Sequence, residues 1–120
     1  WSYSVTQRKT ARSWATQLDL MMERYEEHQF VCSQAQQYKW LDEQYPSVFK
    51  RISARVAAKK FHPIGGAWVE HDANMPSGEA LVRQMVYGQR YFESKFGVRC
   101  ETGWLPDSFG LTGALPQLMR

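Results

Sequence analysis

A single carboxylate stands out near the end of the sequence, where Asp107 lies among aromatic residues and a glycine in residues 104–110. A carboxylate fixed in such a place suits either metal ligation or attack on the anomeric carbon of a sugar, and the flanking rings suit the C–H faces of a sugar. A turn cap made through backbone amides is the simpler alternative. Spacing alone leaves both interpretations open.

A second polar cluster lies in the loop that follows Gly65 and Gly66, where Glu70, His71 and Asp72 stand side by side. These residue types could bind a metal ion or hydrogen-bond a substrate. Adjacent residues rarely point at one ion, however, and their spacing matches none of the strong zinc patterns. Spacing therefore favours a solvated loop over a metal site.

Alternating helix and strand patterns place these loops. Apolar spacing predicts a helix over about residues 5–26, two further helices around Pro46, and a helix that begins after Ser77 and stops at Gly97. Strands are predicted at residues 30–33, 61–64 and 98–105. The alternation predicts an α/β fold with a parallel sheet, in which functional groups gather after the strands. Here those positions follow Ser33, Ile64 and Leu105.

The same spacing predicts which side chains are buried. The stripe of the first helix should include Tyr25, and the stripe of the helix after Ser77 should include Leu81, Val82, Met85, Val86, Phe92 and Phe96. Cys32 and Cys100 are expected to be free buried thiols, which favours a reducing compartment.

Length and composition bound the class of protein. The 120 residues, 43% of them hydrophobic, suffice for one modest core, so residues 1–120 are expected to form one partial α/β domain. The net charge of +3 comes from scattered basic residues, which argues against nucleic-acid binding. No apolar run approaches the roughly 20 residues of a membrane span. Because the sequence starts at Trp1 and finishes within an apparent helix, we expect the domain to be truncated at both ends.

Four segments, residues 11–14, 32–37, 65–79 and 104–110, carry a family resemblance along nearly the whole chain. Together they resemble glycoside hydrolase family 38, the class II α-mannosidases, in the branch of the cytosolic and fungal vacuolar enzymes. The resemblance implies an irregular β/α barrel of parallel strands, and it implies that this chain is an internal piece of the N-terminal catalytic domain.

The resemblance also implies an activity and a site. The full-length parent would be a retaining α-mannosidase that removes terminal α-linked mannose from oligosaccharides through a covalent mannosyl-enzyme. Asp107 would be both its nucleophile and a ligand of Zn²⁺, with Co²⁺ as another metal that could serve. Phe109, Trp68 and Asp72 would contact the substrate. The family's other zinc ligands and its acid/base have no counterpart in this sequence, so we expect the 120 residues alone to be inactive.

The partners follow from the same resemblance. The parent is expected to act on α-mannose-containing oligosaccharides, without nucleic acid or membrane, in the cytoplasm or the fungal vacuole; homo-oligomerisation is left open. Two alternatives remain at this point. One is a non-catalytic mannose-binding relative that kept Asp107. The other is a metal-dependent polysaccharide deacetylase of similar architecture, which would need a different metal motif.

Overall fold

The computed structural model describes the backbone of residues 1–120 and the side chains of all of them except Met22 and Glu23. Its helices and strands are α1 (Tyr3–Glu23), β1 (Phe30–Cys32), α2 (Ala35–Gln44), α3 (Pro46–Ala57), β2 (Phe61–Pro63), α4 (Gly78–Phe96) and α5 (Leu115–Leu118). This mixture is compatible with the predicted α/β class. The chain divides into two compact units, one of Trp1–Cys32 and Gln36–His62, the other of Ser33–Ala35 and Pro63–Arg120.

The first unit is built around a buried aromatic cluster. The ring of Trp14 meets Tyr38 edge-on at a centroid distance of 4.5 Å and Phe61 at 5.5 Å. All three side chains are buried, and α1 packs against α3. Strands β1 and β2 pair in a two-stranded sheet. Aromatic pairs in this geometry add to the stabilisation from burial alone.

The first helix begins and ends earlier than predicted, and one residue of its predicted apolar stripe is exposed. Helix α1 ends at Glu23, with the N–H of Arg24 still bonded to the carbonyl of Leu20. Tyr25 is 49% exposed, so the prediction that it is buried is wrong. Once the chain leaves the helix, the four-residue spacing no longer carries a side chain to the buried face.

Helix α4 dominates the second unit, and both of its predicted ends are confirmed. The Ser77 hydroxyl accepts a hydrogen bond from the N–H of Ala80 at 3.3 Å, which caps the first turn. Gly97 ends the helix with φ of 64°, a left-handed conformation that glycine adopts without steric cost. No helix of the described residues is long and apolar enough to cross a bilayer.

The buried face of α4 is narrower than the sequence indicated. Leu81 and Phe92 are buried as predicted, whereas Val82 and Val86 are 36% and 37% exposed. Val82 and Val86 fit the apolar pattern in the sequence, but in a helix with 3.6 residues per turn they lie at the edge of the buried stripe. The predicted burial of these two residues is therefore wrong.

The third predicted strand, residues 98–105, is not a strand in the structure. The Gln89 side chain occupies the position that a neighbouring strand would take, because its Oε1 accepts from the Cys100 N–H at 2.9 Å and its Nε2 donates to the Cys100 carbonyl at 2.7 Å. The Thr102 carbonyl, within the same segment, accepts a main-chain hydrogen bond from the Gly65 N–H at 2.9 Å. The side-chain amide of Gln89 thus makes the two hydrogen bonds to Cys100 that a neighbouring strand would otherwise make.

Candidate active site

Asp107 lies in a tight turn with Pro106, at the end of the extended segment that the sequence had predicted as a strand. Its side chain is exposed, and among the described residues its carboxylate makes no hydrogen bond or ion pair. The turn is closed instead by Ser108, whose hydroxyl donates to the Leu105 carbonyl at 3.4 Å. The simple alternative for Asp107, a turn cap, is therefore not the role it takes here.

Three segments meet beside this turn, as the sequence predicted for the positions after Ser33, Ile64 and Leu105. Gly65 is the junction, because a Cβ built on it would lie 3.3 Å from the Cβ of Ser33 and 3.2 Å from the Cβ of Trp104. Its φ of +82° is a left-handed value that favours glycine. Glycine at this position lets the three segments approach closely.

A hydrogen bond between side chains joins two of these segments. The Ser33 hydroxyl donates to Oε1 of Glu70 at 2.7 Å. This bond reaches 37 residues along the sequence, from the end of β1 to the loop that follows Gly65. It fixes the carboxylate of Glu70 in orientation while leaving its second oxygen available.

Glu70 and Asp107 border the same small cavity. Its volume is about 140 Å³, and it is lined by Glu70, His71, Leu105, Pro106, Asp107 and Ser108. A water molecule takes up about 30 Å³ of liquid, so this space admits a few waters or part of one sugar ring. Two carboxylates and an imidazole thus line one small cavity together with the apolar side chains of Leu105 and Pro106.

His71 is the buried member of this group, with 8% of its surface exposed. Its Nδ1 lies 2.8 Å from the main-chain carbonyl of Asp72. A carbonyl only accepts, so Nδ1 carries the proton and, in the neutral ring, Nε2 keeps its lone pair. That Nε2 is buried and has no hydrogen-bond partner in the described part of the chain. Buried polar atoms without partners are uncommon and need an explanation.

The Asp72 carboxylate has a local structural task. Its Oδ1 accepts from the main-chain N–H groups of Asn74 at 2.7 Å and Met75 at 2.8 Å. These two donors, of which Met75 has the larger effect, hold the pKa of Asp72 below its ordinary value because they stabilise the ionised form. Asp72 is not among the residues that line the cavity beside Asp107.

The other two residues named as substrate contacts also lie outside that cavity. Trp68 packs edge-on against Tyr91 at a centroid distance of 6.0 Å. Phe109 follows Asp107 closely, but its side chain is 99% exposed. An aromatic ring this exposed is available to pack against one face of a ligand.

Helix α4 holds the loop of Glu70 and His71 in place. The main-chain carbonyl of Gln84 accepts from the Trp68 N–H and its side-chain Oε1 accepts from the Val69 N–H, both at 3.0 Å. One turn further along, a Cβ on Gly88 would overlap the main chain of Gly66 and Ala67. The loop backbone therefore rests directly on the helix, and a glycine makes that approach possible.

The described residues do not by themselves fit a zinc site. No group of three or more His, Cys, Asp or Glu side chains among them is arranged to hold a metal ion. Zinc takes about four ligands. The uncommitted carboxylate of Asp107 could supply one ligand of a larger set, but not a site.

The candidate residues named from the sequence divide at this cavity. Asp107, Glu70 and His71 line it, whereas Trp68, Asp72 and Phe109 do not. Three polar residues in a row gave no signal to separate them. Aspartate often bonds the backbone two residues further on, and this is the role that Asp72 takes.

Comparison with known proteins gives a consistent result over the full chain. The family described as "Glycosyl hydrolases family 38 N-terminal domain" matches residues 1–120. The chain is 48% identical over 120 residues to "Alpha-mannosidase G" of Dictyostelium discoideum and 50% identical over 120 residues to "Alpha-mannosidase 2C1" of Homo sapiens. It is 46% identical over 121 residues to "Alpha-mannosidase" of Saccharomyces cerevisiae. Each match covers 100% of this chain and 11% of the relative's length.

Proposed function

The chain belongs to glycosyl hydrolase family 38, and we propose that it is part of the catalytic domain of a retaining α-mannosidase. The relatives bear the name α-mannosidase, and this chain matches 11% of their length. The substrate would be terminal α-linked mannose on oligosaccharides. The single observation that supports a catalytic role for this segment is the uncommitted carboxylate of Asp107 at the edge of a polar cavity.

In this proposal Asp107 is the nucleophile. Its carboxylate oxygen attacks the anomeric carbon while the bond from that carbon to the leaving oxygen breaks. The leaving oxygen takes a proton from a general acid outside these 120 residues. Water then attacks the same carbon and gives its proton to the deprotonated general acid, the ester bond to Asp107 breaks, and both carboxyl groups return to their starting states. Two displacements at one carbon retain the anomeric configuration.

A carboxylate without partners suits this chemistry. An aspartate bound by several donors would be a weaker nucleophile, because each hydrogen bond stabilises its negative charge. Asp72 illustrates the contrast, since one of its oxygens already accepts two main-chain hydrogen bonds. Asp107 accepts no such hydrogen bond from the described residues. Of the carboxylates in this loop region, Asp107 is therefore the best suited to attack.

We also propose that one carboxylate oxygen of Asp107 would bind a Zn²⁺ ion whose other ligands lie elsewhere in the full-length protein, which leaves the second oxygen for the attack. Co²⁺ could take the place of Zn²⁺. A bound zinc ion would hold sugar hydroxyls and orient the ring. Trp68, Phe109 and Asp72 stay proposed substrate contacts, with Phe109 the most open of the three to a sugar face. The full-length fold would be the irregular β/α barrel, and the compartment the cytosol or the fungal vacuole.

The direct test is the variant Asp107→Asn in the full-length protein, assayed on an aryl α-mannoside with bound metal measured alongside. We expect activity to fall by several orders of magnitude, roughly 10³ or more, because an amide cannot form the ester intermediate. Weakened zinc binding would add the ligand role. Asp42→Asn, on helix α2, is the matched control and should keep activity.

Three results would count against the proposal. Near-normal activity of Asp107→Asn would remove the nucleophile assignment. A wild-type protein that binds mannosides without hydrolysing them would instead support the non-catalytic mannose-binding alternative. Activity on an acetylated polysaccharide rather than the mannoside would support a deacetylase.

A further inference from the structure

Glu70 and His71 present hydrogen-bond acceptors beside Asp107 that no other described residue uses. Oε1 of Glu70 is held by the Ser33 hydroxyl at 2.7 Å, and among the described residues Glu70 makes no other side-chain bond. Nε2 of His71 is buried and has no partner. Both side chains line the cavity of about 140 Å³ that Asp107 also lines.

These acceptors are held in fixed positions. Ser33 orients the Glu70 carboxylate, and the Asp72 carbonyl fixes the His71 ring through Nδ1 at 2.8 Å. The segment just before them is anchored to helix α4 through Gln84. Groups held in place before a ligand arrives lose little entropy on binding, which is how polar groups in a binding site give specificity.

The chemistry of the two groups defines their ligand. An ionised carboxylate accepts only, and so does the Nε2 of an imidazole whose proton is on Nδ1. Two such acceptors are complementary to hydrogen-bond donors, and in the proposed function the donors beside Asp107 are the hydroxyl groups of the substrate. A sugar ring offers several such donors at neighbouring carbons.

Building on the proposed function, we propose that Glu70 and His71 form a hydroxyl-binding subsite beside Asp107. The free oxygen of Glu70 and Nε2 of His71 each accept a hydrogen bond from a hydroxyl of the mannose unit that Asp107 attacks. The subsite orients the sugar, and it explains why a buried imidazole nitrogen has no partner among the residues that the structure describes. In this role Glu70 and His71 join Trp68, Phe109 and Asp72 as proposed substrate contacts.

The test combines two variants with a set of substrates in the full-length enzyme. Glu70→Gln removes the charge of one acceptor, and His71→Met removes the other while filling similar space. Each is assayed on an aryl α-mannoside and on its 2-, 3-, 4- and 6-deoxy analogues. We expect kcat/KM on the parent mannoside to fall about 2- to 10-fold for His71→Met and about 10-fold or more for Glu70→Gln.

The deoxy substrates identify the donor. For the analogue that lacks the partner hydroxyl, the variant and the wild type should have nearly the same kcat/KM, since the bond is already absent. An equal loss on every substrate would mean that the acceptors bind ordered water rather than sugar, which would overturn the proposal. Unchanged kcat/KM in both variants would overturn it as well.

Control variants separate binding from folding. His71→Gln places an amide oxygen within similar reach and should restore most of the activity lost in His71→Met. Glu79→Gln changes an exposed carboxylate that pairs with Arg83 on helix α4 and should leave kcat/KM unchanged. If His71→Met and His71→Gln lose activity equally, packing alone explains the residue and the subsite is refuted.

Failure of the subsite is distinguishable from failure of the proposed function. If the wild-type enzyme hydrolyses no mannoside, the proposed function fails. The subsite is then judged by the Kd for methyl α-mannoside and its deoxy analogues, measured by titration calorimetry with the same variants. Weaker binding in both variants, confined to analogues that keep the partner hydroxyl, would still support it; equal Kd values would refute it.

Discussion

Replacing Gly88 by alanine tests how helix α4 positions the loop of Glu70 and His71. A Cβ at this position would overlap the main chain of Gly66 and Ala67, which cannot move aside as a flexible side chain can. Overpacking of this kind costs about 1–3 kcal/mol. Displacing the loop would also weaken the two hydrogen bonds that Gln84 accepts from it, at about 0.5–1.5 kcal/mol each.

Alanine favours the helix over glycine by about 1 kcal/mol, so the net local destabilisation should be about 3 kcal/mol. Such a change raises the open population of the loop about 10²-fold. Hydrogen–deuterium exchange of the peptide that contains residues 66–70, in the full-length protein, measures that population. The Trp68 and Val69 amides donate to Gln84 and should show the largest change.

The same helix offers a matched control. A Cβ on Gly78 would meet nothing within 4 Å, so Gly78→Ala should leave exchange in the loop unchanged. Loop exchange in Gly88→Ala as slow as in the wild type would refute the reasoning. It would mean that the helix and the loop can separate without loss of the Gln84 hydrogen bonds.

Three further predictions concern single features. Asp72 has a lowered pKa in the folded protein, so its stabilisation of the loop is present above its ordinary pKa of 3.8 and is lost as the pH falls through the lowered pKa. The difference in thermal midpoint between wild type and Asp72→Asn should therefore shrink as the pH is lowered from 5 to 2. A difference that stays constant over this range would count against the prediction. Ser77→Ala removes the cap of α4 and should cost about 0.5–2 kcal/mol, measured by denaturant unfolding; no change would show that the cap is unimportant. The 120 residues expressed alone should neither bind zinc tightly nor hydrolyse an aryl α-mannoside, and tight zinc binding in calorimetry would contradict this.

Local signals predicted the ends of helix α4 well. Ser77 and Gly97 act through their own backbone and nearest neighbours, so their roles can be inferred from the sequence alone. The strand predicted over residues 98–105 failed for the opposite reason. Its backbone partner is the side chain of Gln89, on a distant turn of α4, and no local pattern identifies such a contact.

The candidate site was predictable to the level of its segments. Glycines and strand ends indicated where the loop after Gly65 and the turn at Asp107 would lie. Which loop side chains face Asp107 depends on the turn that Asp72 closes with Asn74 and Met75. That turn sets the direction of each neighbouring side chain, and adjacent polar residues give no periodicity from which to read it.

If Asp107 is the nucleophile, it forms a covalent bond to the sugar in each turnover. The most direct measurement is to incubate the full-length enzyme with 2-deoxy-2-fluoro-α-mannosyl fluoride, digest it, and locate the sugar by mass spectrometry. We expect a fluoromannosyl ester on Asp107, in the peptide that contains residues 100–120, and none on the Asp107→Asn variant. A sugar attached to another carboxylate of an active enzyme would contradict it.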